Sequence, residues 1–483
     1  MMNMEQKRTF RWAAILSYVL GFIYIDWYAA PGIDLDRLLD YRWGNLVFTI
    51  LYIAAVELFS AKCGLTLSEL RRRTSPDGRN LSGCAAESVF FAGLALLQSL
   101  ASVLWDIHPE EIGLMQVLMW HFTMVYYVLC RTGTLAAGHT GIFFLLDAFQ
   151  GTVVLPWKNI FLRFLSIWTR SRKPEEPDQG LEQTEEQEVS KEQRTARKNE
   201  KMQKAGILFI SVLTALIVCM IAWKELLGVS AAFASFGTGL ADLMERLLST
   251  KVLEKLIRTY LPEFLLSIPV SAWLFGLIGG ALKEGRAPVS DAEFSESTRR
   301  YHIFPAYSAY IVLGALIAVY VLFFAVGAAD LVSKLGGGTG LFSKETLMDR
   351  VTVYEAASGA ISGFWQLVRI VLLNFSVLLG FCLFSDVPLW ERKKTRVLVT
   401  VLFGFATVFA LMAGYRLFVL YLFLYGPTPR RILSGWIICV LLLWCILTLI
   451  RFFRKIPAVR IGILAAAASF TVLCLFNIRG ICY

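Results

Sequence analysis

The sequence predicts an all-α, polytopic integral membrane protein: a helix bundle of about 11 transmembrane helices with a cytoplasmic N-terminus. Three observations carry this. First, 57% of the 483 residues are hydrophobic and only 17% are charged, against about 25% charged in an ordinary soluble domain. A water-soluble protein of this size cannot hide so much apolar surface, because its interior grows too slowly with length. The same excess excludes a disordered chain, and scattered glycine with 14 prolines excludes a fibrous one. Second, the apolar residues gather into long runs. Third, the basic residues alternate from side to side along the chain.

The first run, 12–30, follows Lys7, Arg8 and Arg11. It ends in Asp26-Trp27-Tyr28 without a small-x-small cleavage site, so it reads as a retained signal-anchor helix. Further runs lie near 44–62, 86–106, 112–130, 205–223, 262–282, 304–329, 360–385, 397–424, 432–450 and 459–476. Runs of this length are spanning helices rather than buried strands. With the N-terminus inside, the cytoplasmic segments are 1–11, 62–85, 131–204, 283–303, 386–396 and 451–460. They hold 32 of the 47 Lys and Arg residues, as the positive-inside rule expects. Topology thus accounts for the net charge of +10, and nucleic acid is not an expected partner. An odd span count places the C-terminus outside.

The intervening segments differ in character. Residues 132–157 hold the short apolar piece Gly141–Phe149 and read as a re-entrant or interfacial element. Phe161–Arg170 reads as an amphipathic helix on the cytoplasmic surface. Residues 171–204 contain nine acids and eight bases with almost nothing apolar, which leaves too little surface to bury for independent folding. This charged cytoplasmic linker separates a four-span part, 1–170, from a seven-span part, 205–483. Residues 240–261 carry Leu240, Leu243, Met244, Leu247 and Leu248 on one stripe and read as an external amphipathic helix. The linker and this helix are the expected docking surfaces for a membrane or cytoplasmic protein partner. The other expected partner is the lipid bilayer.

Little of the sequence carries recognisable chemistry. None of the nine Cys forms a CxxC pair, and the four His are widely spaced, so no disulfide framework, metal site or cofactor is expected. No Ser-His-Asp, HExxH or paired-carboxylate signature stands out. Gly336-Gly-Gly-Thr-Gly340 lacks the Lys-Ser/Thr ending of a phosphate loop. His139 and Asp147, eight residues apart, would share a face if their segment were helical. Polar residues inside the spans are more informative. Arg416 and Arg369 sit within apolar runs, where an arginine costs about 2.5 kcal/mol or more without a partner. Asp26, Glu57 and Asp386 are candidate partners. Arg416, Arg369, Asn374, Asp26 and Glu57 form a candidate intramembrane polar site. Tyr425-Gly426-Pro-Thr428-Pro-Arg430-Arg431 forms a tight turn, with an anion or lipid-headgroup site as its second reading.

Two stretches carry a resemblance. Residues 360–374 read Ala-Ile-Ser-Gly-Phe-Trp-Gln-Leu-Val-Arg-Ile-Val-Leu-Leu-Asn, and residues 415–431 read Tyr-Arg-Leu-Phe-Val-Leu-Tyr-Leu-Phe-Leu-Tyr-Gly-Pro-Thr-Pro-Arg-Arg. Together with Trp273–Gly280 they resemble a family of polytopic bacterial membrane proteins, mostly Gram-positive, classed as a domain of unknown function. The resemblance covers about residues 205–476. The family's motif arginine falls on Ile361, and its usual Asp-Pro pair is absent around Ser230–Phe236. The resemblance implies a multi-pass protein of the bacterial cytoplasmic membrane. The expected function is non-enzymatic sensing, binding or partnership in a membrane complex. The alternatives are a small-solute or ion transporter using the intramembrane polar site, and a membrane-embedded enzyme acting on lipid or cell-envelope substrates.

Overall fold

A computed structural model describes residues 4–29, 38–74, 78, 80–105, 110–168, 260–299, 306–335, 352–385 and 389–482. Within them the chain is helical, with no β-strand. The helices are α1 (Met4–Ala29), α2 (Leu38–Lys62), α3 (Leu67–Arg72), α4 (Ser82–Leu104), α5 (Glu110–Thr132), α6 (144–158), α7 (Leu162–Trp168) and α8 (Leu261–Glu284). They continue with α9 (Asp291–Arg299), α10 (Ala306–Leu335), α11 (Val353–Phe384), α12 (Lys393–Phe423), α13 (Pro429–Phe453), α14 (Ala458–Cys474) and α15 (Ile478–Cys482).

Nine described helices are long and apolar enough to cross a membrane: α1, α2, α4, α5, α8 and α10 to α13. They coincide with nine of the eleven predicted runs. The predicted run 459–476 forms α14, which has 17 residues and is shorter than the others. The predicted span 205–223, the linker 171–204, the loop 336–340 and nearly all of 240–261 lie outside the described residues. Large apolar side chains such as Leu322, Leu372 and Phe453 stand on the outside of the spans. Water would penalise such a surface, whereas acyl chains solvate it.

The described helices form two compact units that interleave along the chain. The first takes Met1–Ser75, Val128–Thr134 and Ala148–Pro288. Its core is built where α1, α2 and α8 meet, around Phe10, Phe59 and Phe275. Phe10 is edge-on to Phe59 at 4.9 Å, and Phe59 stacks on Phe275 at 6.0 Å. A β-carbon at Gly21 would stand 2.8 Å from Ser271 Cβ, so the missing side chain is what lets α1 lie against α8. The second unit takes Pro76–Tyr127, Leu135–Asp147 and Val289–Tyr483. Its main core lies among α10 to α13 and includes Leu313, Leu367, Phe403, Ala406, Ala410, Ile438 and Cys445. A smaller cluster of Ala101, Phe470 and Cys474 joins α4 to α14. Beside it runs a polar seam: Gln98 Nε2 donates to Thr471 Oγ1 at 2.9 Å, and Gln116 Nε2 donates to the Gln98 carbonyl at 2.8 Å. In an apolar layer such bonds fix helix pairing, because hydrocarbon offers no other partner.

Between α5 and α8 the described residues hold only short helices. Residues 132–157 hold no spanning helix. Residues 133–143 are a loop, and α6 is a short helix interrupted by a π-helical turn, Gln150–Val154. Its fifteen residues reach about 22 Å at 1.5 Å each, less than a hydrocarbon layer of about 30 Å. Leu145, Phe149, Val153 and Trp157 line its exposed side, while Asp147 and Gln150 are buried. This polar-in, apolar-out pattern reverses that of a soluble amphipathic helix. Of the segment 161–170, Leu162–Trp168 form α7, in which Arg163 turns inward. Arg163 is buried, and its Nε donates to the Ala14 carbonyl and to Ser17 Oγ, both at 3.2 Å.

Glycines set the depth of the α6–α8 contact. A β-carbon at Gly276 would stand 2.7 Å from the Pro156 carbonyl oxygen, and one at Gly280 would run into the Asn159 side chain. Gly276→Val is therefore expected to destabilise the protein by about 1–3 kcal/mol. Gly359→Ala, in open space, should change little. Thermal unfolding in one detergent, followed by tryptophan fluorescence, checks the difference.

Candidate functional site

The sequence nominates Glu57 as a partner for an intramembrane arginine, and the structure pairs it with Arg131. Arg131 lies in the last turn of α5 and is only 1% exposed. Its Nε donates to both Glu57 oxygens, at 2.8 and 2.9 Å. Its Nη1 is buried with no hydrogen bond among the described residues. Asp26 is half-buried in the π-helical end of α1 (Tyr24–Ala29).

The other nominated residues lie in the second unit. Asn374 is completely buried on α11, and its Oδ1 accepts from the Tyr320 hydroxyl at 2.9 Å. Arg416 opens a π-helical stretch, Arg416–Phe423, that ends α12. There it crosses Gly363, where a β-carbon would stand 3.3 Å from Arg416 Cδ and 3.6 Å from Nη1. The glycine of one motif thus makes room for the arginine of the other. Arg369 is not in that packed region. It sits midway along the 32-residue α11 and is exposed. Ser358, Ser362, Gln366 and Ser376 are exposed on the same face, opposite the buried line of Ala356, Ala360, Gly363, Leu367 and Asn374. Neither Arg369 nor Arg416 makes a hydrogen bond or ion pair among the described residues. Glu355, at the start of α11, caps it by accepting from the Thr352 N–H at 3.0 Å and hydroxyl at 2.9 Å.

The turn 425–431 is internally bonded. Gly426 adopts φ +78°, which few side chains tolerate. Thr428 caps α13, accepting from the Arg431 N–H. Arg431 Nη1 donates to the Tyr425 carbonyl at 2.9 Å and to the Gly426 carbonyl, and its guanidinium lies 3.7 Å over the Tyr421 ring. Arg430 is exposed and pairs with Glu111 at 2.7 Å.

Sequence reasoning missed a cluster around Glu87. This residue is 2% exposed, and its Oε2 accepts from both the N–H and the hydroxyl of Thr140, at 2.8 and 2.7 Å. Its Oε1 pairs with Arg460 Nε at 2.6 Å. The available signal was a lone carboxylate early in the run 86–106. Asp147 instead accepts from the Ala136 N–H at 2.7 Å, while His139 is exposed at the loop tip. No cluster of three or more His, Cys, Asp or Glu residues that could hold a metal occurs among the described residues.

A family model described as "Domain of unknown function (DUF4153)" matches residues 92–482. The chain belongs to this family. No curated protein and no solved structure matches it. The DUF4153 match begins inside α4, well before the 205–476 region marked by the sequence motifs. It therefore takes in His139, Thr140 and Arg460 as well as Arg369, Asn374 and Arg416. The nine long apolar helices support a multi-pass membrane protein, and membership names no activity.

Proposed function

We propose that this protein acts without catalysis, as the partner of another membrane protein, through the exposed face of α11. The observation that carries the reading is Arg369. A guanidinium midway along a span needs a counter-charge, because hydrocarbon solvates it poorly. Serines and a glutamine on the same face supply hydrogen bonds between helices. The partner is a transmembrane helix bearing a carboxylate at the depth of Arg369. A photo-crosslinking residue at Gln366 should form a discrete adduct with such a helix in native membranes. Arg369→Glu should abolish the adduct, and placing arginine at the partner's carboxylate should restore it. Crosslinking to lipid alone would overturn the reading. A second reading, transport of a small anion, draws on Arg416 at Gly363. Uptake into proteoliposomes that is lost in Arg416→Gln would favour it.

The same reading places the protein in the bacterial cytoplasmic membrane with its N-terminus inside, supported by the distribution of basic residues. The 171–204 linker then divides a 1–170 part from a 205–483 part on the cytoplasmic side. A cysteine introduced at Glu185 should react with an impermeant maleimide only after cells are opened.

A further inference from the structure

The loop 133–143 is fixed at several points. The Cys84 thiol donates to the Gly138 carbonyl at 3.1 Å, and Thr140 is held twice by Glu87. The Ala136 N–H is held by Asp147, and the Ala136 carbonyl accepts from the Asp291 N–H at 3.2 Å. Cys84, Glu87, Thr140 and Asp147 are all buried. This anchoring leaves the His139 side chain outside, between Gly138 and Gly141. Arg460 arrives beside it from the first turn of α14. Its Nε faces Glu87, its side chain is 31% exposed, and its terminal nitrogens make no hydrogen bond among the described residues.

His139 and Arg460 flank Gly83. A β-carbon there would stand 3.0 Å from His139 Cβ and 3.7 Å from Arg460 Nη2. Glu87 spends Oε2 on Thr140 and Oε1 on Arg460 Nε, so the terminal nitrogens of the guanidinium keep their donors. The first turn of α4 contains no acid, although the positive end of a helix favours one. Arg451, Arg454 and Lys455 are exposed just before α14 and draw anions to this end of the unit. Ile142 and Leu145, next along the loop, are exposed and apolar.

We propose that Arg460 and His139 form a binding site for a phosphate group, independent of the α11 face. The planar fork of a guanidinium matches two phosphate oxygens. Ile142 and Leu145 suit the acyl chains of a phospholipid whose headgroup occupies the site, and free phosphate offers the same oxygens. The full-length protein in detergent separates the two sources. Native mass spectrometry reads retention of phosphatidylglycerol against phosphatidylcholine, and phosphorus NMR line broadening reads inorganic phosphate. Preferential retention of phosphatidylglycerol is expected, falling about tenfold in Arg460→Gln, as loss of one charged contact implies. It should fall further in His139→Glu than in His139→Ala. Arg460-dependent broadening of inorganic phosphate without lipid preference would keep the site and assign it to free phosphate. If Arg460→Gln does not fold, the His139 variants decide, because that side chain is exposed and anchors nothing. Equal binding of both ligands by the wild type and the His139 variants would overturn the proposal.

Discussion

Glu57→Ala is expected to cost about 3 kcal/mol of stability, whereas Arg131→Met at the other end of the same pair should cost only about 1 kcal/mol. The asymmetry follows from burial. Arg131 is 1% exposed, while Glu57 keeps 36% of its side chain accessible. Removing the carboxylate leaves a guanidinium buried without counter-charge, and its Nη1 already lacks a hydrogen bond among the described residues. Removing the arginine instead leaves a carboxylate near the end of α2, five residues before Lys62, where water or headgroups reach it. A value of about 3 kcal/mol is the low end for breaking a buried pair, because Glu57 is only partly desolvated. The double variant Glu57→Ala with Arg131→Met should recover most of the loss. Unfolding of the four proteins in one lipid-detergent mixture closes this cycle. Equal penalties for the two single variants would mean that Arg131 is reached by solvent.

The spans were legible because a run of about 20 apolar residues has few other uses. The partners of the polar residues were not. Glu57 and Arg131 are 74 positions apart, and nothing periodic connects them. Each lies near a helix end, which hydropathy marks as a boundary and not as a contact. The His139–Asp147 spacing suggested a shared helical face, but Gly133 and Gly138 take φ +70° and +75°. The chain there is a loop, so the spacing carries no facial meaning, and Asp147 bonds the backbone at Ala136. The two nominated arginines separate for a similar reason. Both fall inside apolar runs, yet only Arg416 meets a glycine on a neighbouring helix. Arg369 points away from the packed face of its own helix, and identifying that face required knowing which side Asn374 and Leu367 bury.

Glu87→Ala should be among the most damaging single changes in the second unit, costing about 3–5 kcal/mol, with damage that is local. The substitution removes two hydrogen bonds to Thr140 and leaves Arg460 facing an apolar gap. Thr140 is completely buried, so its N–H and hydroxyl lose their partner where water does not reach. Glu87→Gln should be milder, because the amide oxygen still accepts from Thr140 while the amide nitrogen turns toward the Arg460 guanidinium and repels it. Adding Arg460→Met to Glu87→Gln should then gain stability relative to Glu87→Gln alone, since it removes the stranded cation. Hydrogen exchange locates the effect. Amides of 135–143 should lose protection in Glu87→Ala while those around Phe403, Ala406 and Ala410 keep theirs, because that core lies among α10 to α13 and does not include Glu87. Loss of protection throughout the unit would instead make Glu87 a keystone of the whole helix packing. Protection retained at 135–143 would mean that Cys84, Asp147 and Asp291 suffice to hold the loop.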